Sequence, residues 1–322
     1  MIHLTRSLKL LALTWVMVSG LAHAQSYPNR PVKIVVPFAA GGPADNYARF
    51  MAQRLSDELK QPFVIDNKPG AGSIIGTDFA AKSPADGYTL LMMSNTQTVN
   101  ESLIPKKPFA LMKDFVGIAP VNYSNLLLVV HPSVPAKNVS ELIALAKSKP
   151  GKINFASSGN GTPYHMAGEL FKHMAGVDMT HVPYKGSSGA RTDLVGGQVD
   201  VMFDAETTMA EFARNGQVRM LGATGLARSA NLPDVPTVAE TVPKYEATIW
   251  LGFMAPKGTP TDIVNKLNAE MRKIVNSPEV KTAWAKQGAV PMSMTVAEFE
   301  QYLNADIAKW ANIVKVSGAK AD

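Results

Sequence analysis

The sequence predicts an α/β fold of two doubly wound domains joined by strands that cross directly between them, and three observations predict it. Short β-branched runs alternate with stretches of helical period in two successive series. No low-complexity linker or internal repeat separates the series. After the second series the chain supplies one more strand and two long amphipathic helices, which are assigned back to the first domain.

The N-terminus reads as an export address. Arg6 precedes an apolar run from Leu8 to Val18, broken only by Lys9 and Thr14, and small residues end at Ala22-His23-Ala24. The run is shorter than the roughly 20 residues that cross a bilayer, so cleavage after Ala24 and release into the periplasm are expected. The chain holds no cysteine, which removes disulfides, lipid attachment and thiolate metal sites. Its net charge of +6 falls by two, to +4, when Arg6 and Lys9 leave, and no basic run accompanies it. Nucleic acid is therefore not an expected partner, whereas weak attraction of anionic solutes is.

The first series runs through a strand at Val32 to Phe38, a helix at Pro43 to Lys60, a strand at Phe63 to Asp66, a helix near Ser73 to Lys82 and a strand ending at Ser94. Tyr47, Phe50, Met51 and Leu55 give the first helix its apolar side. The second series opens at Asn125 to His131, with Asn138 and Glu141 as a capping pair. Strands follow at Ile153 to Ser157, Met179 to Tyr184, Val199 to Phe203 and Val218 to Ala223. A strand from Ile249 then leads to a helix started by Thr259-Pro260 and to a last helix between the capping box Thr295 to Glu298 and Gly318. Domain 1 is placed at residues 25–124 plus 248–322 and domain 2 at 125–247, with a ligand cleft between them.

Two similar loops carry the chemistry. Pro37-Phe38-Ala39-Ala40-Gly41-Gly42-Pro43 and Ser157-Ser158-Gly159-Asn160-Gly161-Thr162-Pro163 each follow a strand and open a helix, with proline at the first helical position. The glycines permit a tight turn that leaves backbone N–H groups free, and the helix dipole adds positive potential. Both loops sit at the carboxyl ends of strands, where doubly wound sheets bind ligands. Facing each other across two domains, they would grip one small organic acid. Candidate ligand-binding residues are Phe38, Ala40, Gly41, Gly42, Ser94, Ser158, Asn160, Gly161 and Thr162. A third loop, Lys185 to Gly189, adds Lys185 and Ser187. Asp204, at the end of its strand, either caps the next helix with Glu206 or meets an amino group or hydroxyl of the ligand. Asp45 is read as structural, pairing with Arg49 at i,i+4.

Enzyme signatures are weak. Gly70-Ala71-Gly72-Ser73-Ile74-Ile75-Gly76 misses the dinucleotide spacing by one residue, and no G-x-S-x-G elbow or phosphate-binding loop occurs. His131, His165, His173 and His181 lack metal-ligand spacing. An esterase would have to pair Ser157 or Ser158 with His165. A ligand-sensing receptor that docks on a membrane sensor is the other alternative.

The chain resembles the tripartite tricarboxylate transporter substrate-binding family, also called the Bordetella uptake gene family of periplasmic receptors. The resemblance rests on PVKIVVPFAAGGPADNYAR from Pro31, NKPGAGSIIGTDFAAKSPADGYTLL from Asn67, INFASSGNGTPYHMAGELFKHMAG from Ile153, MTHVPYKG from Met179, GGQVDVMFD from Gly196 and APKGTP from Ala255. It implies a Venus flytrap clamp of periplasmic-binding-protein architecture, without cofactor or catalysis, that acts as a monomer and delivers an organic acid to a two-component membrane permease. It also implies that loops Phe38 to Gly42 and Ser158 to Thr162 hold the proximal carboxylate, and that Asp204 corresponds to an aspartate that meets the amino group in amino-acid-binding members. Gly189, where the family has proline, and Glu206-Thr207-Thr208 depart from the pattern beside the cleft.

Overall fold

The computed structural model describes residues 27–321. The leader at residues 1–24 and its cleavage site lie outside the described residues.

Eleven α-helices and ten strands are seen among the described residues. They begin with β1 (Val32–Val36), α1 (Pro43–Leu59), β2 (Phe63–Asn67), α2 (Ile74–Ala81), β3 (Thr89–Ser94), α3 (Asn95–Leu103) and α4 (Leu111–Asp114). The long β4 (Phe115–Val130) leads to α5 (Val139–Ser148), β5 (Asn154–Ser157), α6 (Pro163–Ala175), β6 (Thr180–Pro183), α7 (Ser187–Val195), β7 (Val201–Ala205), α8 (Glu206–Arg214) and β8 (Arg219–Ala223). The chain ends with β9 (Thr248–Pro256), α9 (Thr261–Asn276), α10 (Pro278–Ala285), β10 (Ala289–Pro291) and α11 (Val296–Ser317).

The strands form two lobes that share β4. Its first part, Phe115 to Asn125, pairs with β9, and its second, Leu126 to Val130, pairs with β7 and β8. Within the lobes β1 runs parallel to β2 and β3, and β5 runs parallel to β6 and β7. The sheet is nevertheless mixed, because β9 is antiparallel to β3 and β4, and β4 is antiparallel to β7 and β8. Alternating strand and helix imply parallel βαβ units, so the antiparallel β4 and β9 differ from that expectation. A strand that enters a lobe from its neighbour approaches from the end opposite to the local βα windings, so it runs against them.

Two further differences have local causes. The second series is expected to open at Asn125 to His131, whereas β4 already begins at Phe115 and contains Gly117 and Pro120. The strand absorbs them through register irregularities between Gly117 and Ala119 and between Pro120 and Asn122. Asp204 stands at the end of its strand as expected but does not cap the next helix: Ala205 is the N-cap of α8, which has no side-chain cap.

The caps expected from sequence are in place. Pro43 and Pro163 open α1 and α6. The Asn138 side chain accepts the Glu141 amide, and Gly318 closes α11 with φ +68°. On α1, Tyr47, Met51 and Leu55 recur every four residues and are buried, each contributing about 1.5–3 kcal/mol through apolar burial. Tyr47 meets Trp284 of α10 edge-on, with ring centroids 5.0 Å apart. A smaller apolar cluster spans both lobes, joining Val99 and Leu103 of α3 and Trp310 of α11 to Met166 of α6. The lobes thus pack against each other through this cluster.

Candidate functional site

Four helix N-termini converge on one cavity between the lobes. Gly42, Pro43 and Ala44 bring the start of α1, Ser94 and Thr96 that of α3, Pro163 and Tyr164 that of α6, and Ser187 that of α7. The cavity is nearly shut, with about 20 Å³ of free volume, room for little more than one water. Phe38, Ile249 and Leu251 complete a largely apolar wall, and no carboxylate side chain lines it.

Each N-terminus leaves orphan amides by construction, and several of those lining the cavity have no acceptor among the described residues. The amides of Gly42, Ala44, Ser158 and Tyr164 make no hydrogen bond within the described chain. Other loop donors are already taken. Gly41 N–H donates to Asp45 Oδ2 at 3.0 Å, Gly161 N–H to His165 Nδ1 at 3.1 Å, Thr162 N–H to Gly159 O at 3.2 Å and Ala39 N–H to Lys185 O at 3.2 Å. Only part of each loop is therefore available to an anion.

Of the residues singled out from sequence, Phe38, Gly42, Ser94, Ser158 and Ser187 line the cavity. Ala40 and Gly41 lie at its exposed rim. Ser94 caps α3, accepting the Thr96 amide at 3.1 Å and donating to Thr96 Oγ1 at 2.8 Å. Lys185 is exposed, and its carbonyl accepts the Ala39 amide of the other lobe. Thr162 caps α6 and donates to Gly159 O at 2.7 Å.

The two loops share the cavity but make their closest contacts with other partners. The Phe38 to Gly42 turn meets the third loop: a Cβ on Gly42 would sit 3.0 Å from Ser187 Oγ. The Ser158 to Thr162 turn meets the Gly70 to Ser73 loop and α3. A Cβ on Gly72 would fall 2.5 Å from the Asn160 carbonyl oxygen, and one on Gly161, at φ +72°, would fall 2.2 Å from Asn100 Oδ1. Gly72, unremarkable as a nucleotide motif, is thus a point where the lobes touch.

Asp45 holds the first loop from behind, as expected. Its Oδ2 accepts from Gly41 N–H and lies 2.9 Å from Arg49 Nε, and its Oδ1 accepts from Asn67 at 2.9 Å. Burial pushes its pKa up, but Arg49, the Gly41 amide and Asn67 outweigh that and hold it below the ordinary aspartate value.

Asp204 is fully buried behind the wall, where Arg191 Nε stands 2.8 Å from its Oδ2. Its other oxygen accepts the Ala205 amide at 2.8 Å. Burial raises its pKa to about 6 despite Arg191 and the Ala205 amide. Arg191 Nη2 also donates to Ser187 Oγ at 3.0 Å and, across the lobes, to Gly41 O at 3.1 Å. The sequence reading missed Arg191 and Tyr164. Arg191 had one signal, its position four residues after Ser187, which puts both on one helical face.

The serine and histidine pairing differs from the one considered for an esterase. Ser157 Oγ lies 2.6 Å from His181 Nε2, while His165 stacks on His181 with centroids 4.0 Å apart. Ser157 is fully buried and is not part of the cavity wall, and Ser158, which is, has no histidine bonded to it. Burial, His181 and Lys172 hold the His165 pKa down to about 3, so its neutral Nδ1 can accept the Gly161 amide.

A family model described as tripartite tricarboxylate transporter family receptor matches residues 47–319. Protein BugT of Bordetella pertussis is 38% identical over 324 residues, covering 99% of either chain. The solved structure of R. palustris Rpa4515 with adipate has a TM-score of 0.89 at 34% identity, covering 91% of this chain and 99% of its own. MatC from Rhodopseudomonas palustris with bound malate has a TM-score of 0.85 at 32% identity, covering 89% and 100%.

Proposed function

This chain belongs to the tripartite tricarboxylate transporter receptor family, and from that premise we propose that it is a solute-binding receptor whose cleft closes on a small carboxylate. The observation that carries the reading is the convergence of four helix N-termini, with unpaired amides, on one cavity free of acidic side chains. Backbone donors and dipoles give anion affinity without a charged side chain in contact. Closure then replaces the carboxylate's water shell with fixed donors, and the differential affinity of the ligand for the closed form drives the hinge.

In this reading the proximal carboxylate lies against Gly42, Ala44, Ser158 and Tyr164, and Phe38, Ile249 and Leu251 cover the carbon chain. Adipate and malate, named with two relatives, guide the ligand class toward short dicarboxylates. Residues 27–124 plus 248–321 make one lobe and 125–247 the other. The mature chain, cleaved after Ala24, acts as a periplasmic monomer that hands its ligand to a two-component permease. The leader sequence and the family support that location and partner.

The test is calorimetric titration and thermal denaturation of protein stripped of ligand by unfolding and refolding, with C4 to C6 dicarboxylates. Ligand at one hundred times Kd stabilises by about 2.7 kcal/mol. A full panel giving neither heat nor a shift in Tm rejects the carboxylate reading.

A further inference from the structure

Resting on the reading of the cleft as a carboxylate site, we propose that Arg191 sets the ligand class by cancelling Asp204, so that the closed cleft takes unaminated acids and rejects those carrying an ammonium group. Asp204 is the group near the cavity that a ligand ammonium would seek. It sits behind the wall, 2.8 Å from Arg191, whose Nη2 donates to the cavity-lining Ser187 Oγ at 3.0 Å. The guanidinium of Arg191 already occupies it at 2.8 Å, and both residues are buried.

Apart from the hydroxyls of Ser158 and Tyr164, the polar side chains of the wall are already engaged, and its free backbone groups favour negative charge. The free amides of Gly42, Ala44, Ser158 and Tyr164 are donors, which an ammonium cannot use. Four helix starts present their positive ends. Ser187 Oγ accepts from Arg191, and Ser94 Oγ accepts the Thr96 amide. An ammonium drawn toward Asp204 would meet Arg191 at nearly the same distance, so attraction and repulsion offset each other while the desolvation cost of the ammonium stays.

Specificity of this kind comes from an element that penalises the wrong ligand. Arg191 also donates to Gly41 O in the opposite lobe, so the cancelling charge is fixed in place by closure itself. The ligand that fits has a carboxylate for the amides and an apolar body for Phe38, Pro43, Pro163, Ile249 and Leu251.

The experiment is calorimetry on stripped protein with matched pairs: succinate and aspartate, glutarate and glutamate, adipate and 2-aminoadipate. The unaminated member of whichever pair fits should bind at least about 100-fold tighter. In Arg191→Gln the freed Asp204 should narrow that ratio by at least about tenfold, whereas Arg191→Lys should preserve it. Should Arg191→Gln fail to fold, the double variant Arg191→Gln/Asp204→Asn removes both charges and should keep the wild-type ratio. Equal binding of both members by the wild type, an unmoved ratio in folded Arg191→Gln, or acceptance of amino acids by the double variant overturns the assignment. Absence of heat with all six acids is a different result: it rejects the carboxylate reading itself, and this inference with it.

Discussion

The guanidinium of Arg191 donates through Nη2 to the carbonyl oxygen of Gly41, 3.1 Å away, tying a side chain of one lobe to the backbone of the other. The same side chain neutralises Asp204 in a site closed to solvent. Asp204→Asn should therefore destabilise the protein by roughly 3–5 kcal/mol, because it strands a buried guanidinium. Arg191→Met combined with Asp204→Leu should recover most of that loss. Urea midpoints of the two single variants and the double give the coupling, and a double variant as unstable as the singles combined contradicts it.

Asp204 and His165 give opposite pH slopes. With its folded pKa raised to about 6, Asp204 keeps a proton that the unfolded chain releases near pH 4. Its contribution to stability thus falls as pH rises between about 4 and 6, and is flat above that.

His165, held down to about 3, stays neutral in the fold while the unfolded ring protonates below about pH 6.5. Its contribution is complete above that pH and is lost as pH falls toward 3, on the order of a few kcal/mol in all. His165→Phe retains a ring to stack on His181, so it should flatten the acid limb of Tm against pH while leaving the neutral-pH value within a few degrees. A variant whose acid limb is as steep as the wild type's assigns that limb to other groups.

Asp45 acts in the ordinary carboxylate direction. Its folded pKa is depressed by Arg49, Gly41 and Asn67 against the upward push of burial, so its stabilisation is present above about pH 4 and fades as acid protonates it. Asp45→Asn should cost about 1.5–3 kcal/mol at pH 7 and weaken ligand binding, since the Gly41 turn loses its charged acceptor. Loss of stability without any change in ligand affinity would separate Asp45 from the site.

Gly161→Val should abolish binding while the far-UV spectrum stays native. The left-handed backbone alone costs about 1–2 kcal/mol with a side chain, and the new Cβ would collide with Asn100 as the lobes close. Gly42→Ala, at φ −88° and with 3.0 Å to Ser187 Oγ, should be milder, with affinity reduced about tenfold. Calorimetry ranks the two, and the reverse order would place the tighter contact at the other loop.

The alternation of strand and helix, the proline-started helices at Pro43 and Pro163, and the capping pairs at Asn138 and Thr295 were legible in the chain because each depends on neighbours within a few residues. The fold class followed from these local signals. The first ten residues of β4 were not legible, since Gly117 and Pro120 break a strand on local grounds and only pairing with β9 holds them there. The loops announced an anion site, but not which of their amides remain free. That depended on Asp45, His165 and Lys185, whose acceptor atoms reach the loops only after folding. Nor did any spacing pair Arg191 with Asp204, thirteen positions apart on a helix and a strand. A buried ion pair is made by the strand order that sets α7 beside β7, and strand order is decided by tertiary packing.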